Sequence, residues 1–82
     1  MKAHVTIMPK EGILDPQGLT VGKALLNLGI KGVREVRIGK FVEIDMPKLT
    51  REKAEAVATE ACEKLLANPN IEGYTLTIVD GG

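Results

Sequence analysis

The sequence predicts an α+β fold, a two-layer sandwich of order β-α-β-β-α-β in which a four-stranded antiparallel sheet carries two helices on one face. Three observations predict it: short segments alternate apolar and polar residues, two longer stretches repeat apolar residues at helical spacing, and each of those stretches follows a capping residue. The 82 residues contain no linker, repeat or low-complexity segment. They therefore form a single domain, residues 1–82.

The first strand is predicted at residues 3–8, where apolar and polar side chains alternate before Pro9. A helix then begins at Pro16, because Asp15 can accept hydrogen bonds from its free N–H groups and proline suits the first helical position. Gly29 ends this helix. Its apolar stripe should cover the sheet and consists of Val21, Ala24, Leu25 and Leu28.

Two further strands are predicted at residues 36–38 and 42–46, joined through Gly39-Lys40 as a type II′ hairpin. Thr50 caps a second helix that stops before Asn68-Pro69, and the last strand covers residues 74–79. Gly81-Gly82 is expected to be a frayed end. Right-handed crossovers fold this order into a ferredoxin-like sandwich. The buried stripe of the second helix is predicted to be Ala54, Val57, Ala58, Ala61, Cys62 and Leu65.

The composition argues against charged polymers and membranes as partners. Lysine plus arginine and aspartate plus glutamate number 11 each, so the net charge is zero and no field favours nucleic acid or an anionic surface. The apolar runs are too short to span a bilayer, and no secretory signal opens the sequence. With one cysteine, Cys62, the chain is expected to be cytoplasmic.

The residues that could carry chemistry are few. His4 is the single histidine, Cys62 falls on the core stripe of the second helix, and neither is predicted to lie beside a catalytic partner. No set of cysteine, histidine or carboxylate residues has metal-ligand spacing, and the glycines match no phosphate-binding loop. The sequence therefore does not favour catalysis by this chain alone.

The sheet face turned away from the helices is predicted to be mixed in character. Such a face is often simply solvated, but in so small a domain we favour a dimer or partner surface there. Its predicted members are His4, Thr6, Met8, Glu35, Arg37, Glu43, Asp45, Thr75, Thr77 and Val79, with Phe41 at its edge.

Three polar clusters are not required by the fold: Asp15-Pro16-Gln17-Gly18, then Val36-Arg37-Ile38-Gly39-Lys40, then Leu65-Leu66-Ala67-Asn68-Pro69 followed by Ile71, Glu72 and Tyr74. In this order and spacing they resemble the PurS subunit family of phosphoribosylformylglycinamidine synthase, over essentially the whole chain. The combination of ILDPQG, VRIGK and LLANP is specific, whereas each piece alone would be weak.

The resemblance implies a small accessory subunit, usually a homodimer, that joins a large synthetase subunit (PurL) and a glutaminase subunit (PurQ). Such a complex converts formylglycinamide ribonucleotide to formylglycinamidine ribonucleotide, using ATP and the ammonia released from glutamine. ATP and Mg²⁺ are then used by the synthetase, and no cofactor or metal is expected on this chain. Nucleic acid and membrane are not expected partners.

The same resemblance makes the three clusters candidate docking sites. Arg37 is the strongest single candidate because its guanidinium fork can bind a carboxylate in two places, although it could equally pair with Glu35 or Glu43 in its own sheet. The competing class is an ACT-like ligand-binding module, which would use Gly12 and Gly18 to admit an effector. The candidate docking residues are Asp15, Pro16, Gln17, Gly18, Arg37, Gly39, Lys40, Leu66, Asn68 and Pro69.

Overall fold

The computed structural model describes residues 1–80, and the frayed end predicted at Gly81-Gly82 lies outside them. Strand β1 (Lys2–Pro9) is followed by helix α1 (Pro16–Asn27) and strand β2 (Lys40–Asp45). Helix α2 (Arg51–Ala61) continues into a π-helical turn (Cys62–Leu66), and strand β3 (Glu72–Val79) closes the order. No helix within residues 1–80 has the length and apolar character needed to cross a membrane.

The described strands form one antiparallel sheet in the order β2-β1-β3. In the central register Val5 lies opposite both Val42 and Leu76, so three apolar side chains share one row of the inner face. Alternation along β1 buries every second residue on that face, and α2 covers it with Ala54 and Ala58. The predicted first, third and last strands are thereby confirmed.

The predicted four-stranded sheet is wrong, because residues 36–38 do not join it and the described sheet has three strands. Residues 30–39 form neither helix nor strand. The II′ hairpin is also wrong: Gly39 has no positive φ, and a Cβ added there would overlap Met8 Sδ and the carbonyl oxygen of Ile7. Gly39 therefore lets the chain pass close to the end of β1 rather than turn.

Helix α1 does not lie on the sheet, so the prediction of two helices on one sheet face is wrong as well. The start of α1 lies instead against Val36 and Ile38, and we call residues 13–39 the lobe. The radius of gyration is 16.1 Å, whereas a compact chain of this length has about 12 Å. The molecule measures 49 × 29 × 14 Å. Periodicity correctly marks the apolar side of α1 but carries no information about what covers it.

The ends of α1 agree with the prediction. Gly18 N–H donates to Asp15 Oδ1 at 3.0 Å, and Gly29 has a φ of 81°, as a residue just after a helix C-terminus often does. The predicted apolar stripe is not buried, however. Val21 is 38% and Leu28 is 75% exposed.

Helix α2 begins as predicted, since Thr50 Oγ1 accepts a hydrogen bond from Lys53 N–H at 3.4 Å. Its predicted stripe is only partly correct, because Val57 and Leu65 are exposed. The π-helical turn, closed by Ala67 N–H donating to the carbonyl of Cys62 at 3.0 Å, inserts an extra residue into the helical repeat. This extra residue rotates the buried face of the helix, so Leu66 contacts the core in place of Leu65.

Candidate functional site

Asp15 joins the first sequence cluster to the second. One carboxylate oxygen, Oδ1, caps helix α1, and the other, Oδ2, accepts a hydrogen bond from Ile38 N–H at 2.8 Å. The N–H groups of Gly18 and Ile38 hold the pKa of the Asp15 carboxyl below its usual value, and the positive charge of Arg37 acts in the same direction. Asp15 is therefore a clamp between the start of α1 and a segment 23 residues away.

Gly18 is the buried residue of α1, and its lack of a side chain explains the clamp's geometry. A Cβ at this position would overlap the carbonyl oxygen of Val36 and lie 2.7 Å from Asp15 Oδ2. A Cβ added at Gly22, one turn later, would have Val36 Cγ2 as its nearest neighbour, at an ordinary van der Waals distance of 3.8 Å. The spacing Asp15-Pro16-Gln17-Gly18 thus combines a cap with the close approach of a second backbone segment.

Glu72 joins the second cluster to the third. Its Oε1 accepts a hydrogen bond from Asn68 N–H at 2.8 Å, and its Oε2 lies 3.8 Å from Lys40 Nζ. The loop is held further by Lys10 Nζ, which donates to the carbonyl of Pro69 at 2.6 Å. Asn68 Oδ1 accepts from Asn70 N–H at 3.1 Å, which forms a local turn. Two carboxylates, Asp15 and Glu72, therefore tie the three clusters into one connected framework.

The ten predicted docking residues separate into two groups. Within the described residues, Asp15, Gly18, Gly39, Asn68 and Pro69 have contacts that hold this chain's own fold, and Leu66 packs half-buried against the core. The side chains of the other four reach the surface, although Lys40 also pairs with Glu72 and Arg37 lies beside Glu35; these four are Pro16, Gln17, Arg37 and Lys40.

Arg37 lies beside Glu35, with Nε 4.0 Å from Oε1, so the predicted pairing within its own chain occurs at the outer limit of an ion pair. The alternative partner Glu43 is engaged by His4 Nε2 at 2.9 Å and by Lys2 Nζ at 3.6 Å. Glu35 and Glu72 were named in the sequence analysis but not included among the candidate docking residues, and their contacts with Arg37, Asn68 and Lys40 make them part of the site. For Glu35 the signal was present, since opposite charges two residues apart on an alternating segment share one face.

The outer sheet face mixes polar side chains with the exposed aromatic ring of Phe41. His4, Glu43 and Phe41 form its most prominent group, with the His4 and Phe41 ring centres 5.3 Å apart. Glu35 and Arg37, which were predicted to belong to this face, lie in the lobe instead. The predicted dimer or partner surface on this face stays a prediction.

Cys62 is fully buried, as predicted, and burial raises the pKa of its thiol. Burial likewise raises the pKa of the Tyr74 phenol nearby. Within residues 1–80 no group of three or more histidine, cysteine, aspartate or glutamate side chains is arranged to hold a metal ion. The contacts among the described residues hold the surface around the three clusters in a fixed position.

Fold and site together define a small α+β subunit whose polar residues fix the position of a protruding lobe. A family model described as "PurS: Phosphoribosylformylglycinamidine (FGAM) synthase" matches residues 2–80, and the chain belongs to this family. The predicted resemblance is confirmed. The chain is accordingly a PurS-type subunit of FGAM synthase, a ligase of purine biosynthesis.

Relatives agree over nearly the full length. PurS of Archaeoglobus fulgidus is 47% identical over 76 residues, which cover 93% of this chain and 95% of the relative. The PurS structure of Bacillus subtilis has a TM-score of 0.84 at 40% identity, over 96% of this chain and 98% of that one. A chain in the structure of PurLQS from Thermotoga maritima has a TM-score of 0.83 at 28% identity, over 95% of both chains.

The ACT-like alternative has no support. The space beside Gly18, where an effector would have to enter, is filled by the carbonyl of Val36 from the same chain. Gly12 lies in the exposed turn before the lobe.

Proposed function

We propose that this chain is the bridging subunit of a three-subunit FGAM synthase, in contact with both a PurL-type synthetase and a PurQ-type glutaminase. The likeness over 95% of both chains to a chain of the Thermotoga maritima PurLQS structure carries the proposal. In this arrangement ATP and Mg²⁺ stay with the synthetase, no cofactor binds this chain, and the complex works in the cytoplasm.

The behaviour of ammonia in water explains why a bridging subunit is needed. Ammonia released into bulk water is diluted and largely protonated at neutral pH, which removes the lone pair that attacks the substrate. A continuous, dry path between the two active sites keeps ammonia neutral and close to its target. A subunit without catalytic groups of its own serves this purpose by fixing the relative position of two enzymes.

The first turn of α1 is the part of the candidate site best suited to dock another subunit. Pro16 and Gln17 are exposed there and line a shallow surface cavity together with Thr20, Val21 and Ile38. The backbone below them is fixed by the Asp15 clamp, so little conformational freedom remains to be lost on binding. Gln17 supplies the donor and acceptor groups that give such a contact its orientation.

The function is tested by reconstitution with purified PurL-type and PurQ-type subunits. Formylglycinamidine ribonucleotide is measured with glutamine and, separately, with ammonia as nitrogen source, each with and without this chain. We expect glutamine-driven turnover to require the chain, while ammonia-driven turnover by the synthetase persists without it. Glutamine-driven turnover that is equal with and without the chain would refute the bridging role.

A matched pair of variants tests the docking surface. Gln17→Ala removes the exposed amide at the first turn of α1, and Asn27→Ala removes an exposed amide at its last residue. Complex assembly, followed by sedimentation velocity, should weaken about tenfold for Gln17→Ala, since one well-oriented interfacial hydrogen bond contributes about 1.5 kcal/mol. Asn27→Ala should assemble normally. Equal assembly of both variants would exclude Gln17 as a contact.

A further inference from the structure

Strand β3 is an edge strand, and its hydrogen bonds show which backbone groups point away from the sheet. The order β2-β1-β3 gives β3 a neighbouring strand on one side only. Just before β3, the carbonyl of Ile71 accepts a hydrogen bond from Lys10 N–H at 2.8 Å, so odd-numbered residues direct their backbone groups to β1. The even-numbered residues direct theirs to the outer edge. They are Glu72, Tyr74, Leu76 and Ile78.

Both ends of this outer edge are occupied by other parts of the same chain. At the start of β3, Glu72 N–H donates to the carbonyl of Asn68 at 2.7 Å. At its end, Arg51 Nη1 donates to the carbonyl of Ile78 at 3.0 Å. Within residues 1–80, Tyr74 and Leu76 therefore keep both an N–H and a C=O group free for another strand. Two residues are fewer than the five or so of an ordinary strand.

The sequence of β3 would make a fully open edge prone to aggregation. Residues 73–79 carry no charge and no proline, contain one glycine and read GYTLTIV, with β-branched and aromatic residues in the majority of positions. Segments of six or seven residues with this composition are typical of strands that stack into extended sheets. On an exposed edge such a segment is an aggregation site, unless a charged side chain or a covering element blocks it.

Arg51 stands at a position where its own helix disfavours a cation. It is the first residue of α2, directly after the capping residue Thr50. The N-terminus of a helix carries a partial positive charge, so a cation in the first turn is unfavourable. A residue that conflicts with its local element usually meets a requirement elsewhere in the structure. For Arg51 the contact that meets such a requirement is the hydrogen bond to Ile78.

We propose that Arg51 is an edge-blocking residue, whose guanidinium closes the end of the β3 edge and keeps copies of the chain from adding to one another as an open-ended sheet. The carbonyl of Ile78 is not available to an incoming strand while Arg51 binds it. An incoming strand would also have to displace the guanidinium or bury its charge, which is unfavourable.

The association that Arg51 opposes is open-ended because the sheet has two different edges. With β3 open, the β3 edge of one copy would pair with the β2 edge of the next. Such a head-to-tail contact leaves the same two edges free at the ends of the assembly, so growth does not close. The product expected without the block is therefore a filament rather than a discrete oligomer.

A matched pair of alanine variants tests the block on the purified full chain. Arg51→Ala and Lys53→Ala each remove one positive charge from the first turn of α2, so both change the net charge and the helix N-terminus alike. The hydrogen bond to Ile78 is lost in the first variant and kept in the second. The protein concentration at which sedimentable, thioflavin-T-positive material appears should fall about tenfold for Arg51→Ala, since a charge-assisted hydrogen bond no longer has to be broken. Lys53→Ala should behave as the original does.

Hydrogen exchange and a second substitution show whether the β3 edge is the surface used. The amides of Tyr74 and Leu76 should become protected in the assembled Arg51→Ala material. Thr75→Lys places a charge at an exposed position of β3, where lysine opposes strand addition. Arg51→Ala combined with Thr75→Lys should therefore return the threshold concentration to that of the original chain.

Three results would overturn the proposal: equal thresholds for Arg51→Ala and Lys53→Ala, unprotected Tyr74 and Leu76 amides in the assembled material, or a double variant that associates as readily as Arg51→Ala alone. Circular dichroism checks that each variant is folded before incubation. If Arg51→Ala does not fold, Arg51→Glu applies the same test, because a carboxylate suits the helix N-terminus and cannot donate to the carbonyl of Ile78.

Discussion

The close approach of two backbones at Gly18 offers the most direct test of how the lobe is held. Replacing Gly18 with alanine places a methyl group where the carbonyl of Val36 and a carboxylate oxygen of Asp15 already lie. Either residues 33–38 move away from α1 or the helix start is distorted. Gly22→Ala is the matched control, because the same methyl group meets only Val36 Cγ2 at 3.8 Å.

The two substitutions should change the free energy of unfolding by different amounts. Alanine is favoured over glycine inside a helix by about 1 kcal/mol, so Gly22→Ala should stabilise the protein slightly. Gly18→Ala makes the same gain, since Gly18 lies in the same helix, but it also forces overpacking that costs about 1–3 kcal/mol, so the two variants should differ by about 1–3 kcal/mol. For a domain of this size that difference separates the melting temperatures by about 4 °C or more.

Thermal unfolding at equal protomer concentration measures the difference, because association would otherwise shift the apparent stability. Hydrogen exchange at the Ile38 amide localises it: exchange should be faster in Gly18→Ala, where the hydrogen bond to Asp15 is lost, and unchanged in Gly22→Ala. If both variants melt together and protect Ile38 equally, the lobe is not held by the approach at Gly18.

Three further outcomes follow from the framework. The pKa of Asp15 is lowered in the folded protein, so the stabilisation that its ionised carboxylate provides should be complete above the unfolded pKa of about 3.9 and lost as pH falls through the folded pKa. The difference in free energy of unfolding between the original protein and Asp15→Asn, measured in urea, should therefore shrink between pH 6 and pH 3. A difference that stays constant with pH would contradict this. Gly39→Ala should lower the melting temperature, whereas Gly73→Ala, with open space around it, should not. Burial raises the pKa of the Cys62 thiol, so a thiol reagent at pH 7.5 should label native protein far more slowly than protein in urea, and equal rates would show an accessible thiol.

Local signals in the sequence were sufficient for most of the elements. The caps at Asp15 and Thr50, the alternation in β1 and β3 and the stop before Asn68-Pro69 all depend on neighbours within a few residues. Such contacts are encoded by short-range chemistry, and the structure confirms them.

Which distant segments contact each other was not predictable in the same way. Residues 36–38 have the alternation of a strand, but alternation does not state which strand, or which molecule, completes the pairing. Gly39 matched the first position of a tight turn, whereas its actual requirement comes from contact with β1, 32 positions earlier at Ile7. The contacts of Asp15 with Ile38 and of Glu72 with Lys40 likewise depend on tertiary placement.

The 14 Å thickness of the molecule has a consequence for its abundance in the cell. A chain this thin cannot enclose an interior of its own around α1, and a copy that fails to find its neighbours keeps the apolar residues of the lobe in water. Such copies are the ones that proteolytic surveillance removes first. We expect copies of this subunit without a partner to be degraded faster than copies that are bound.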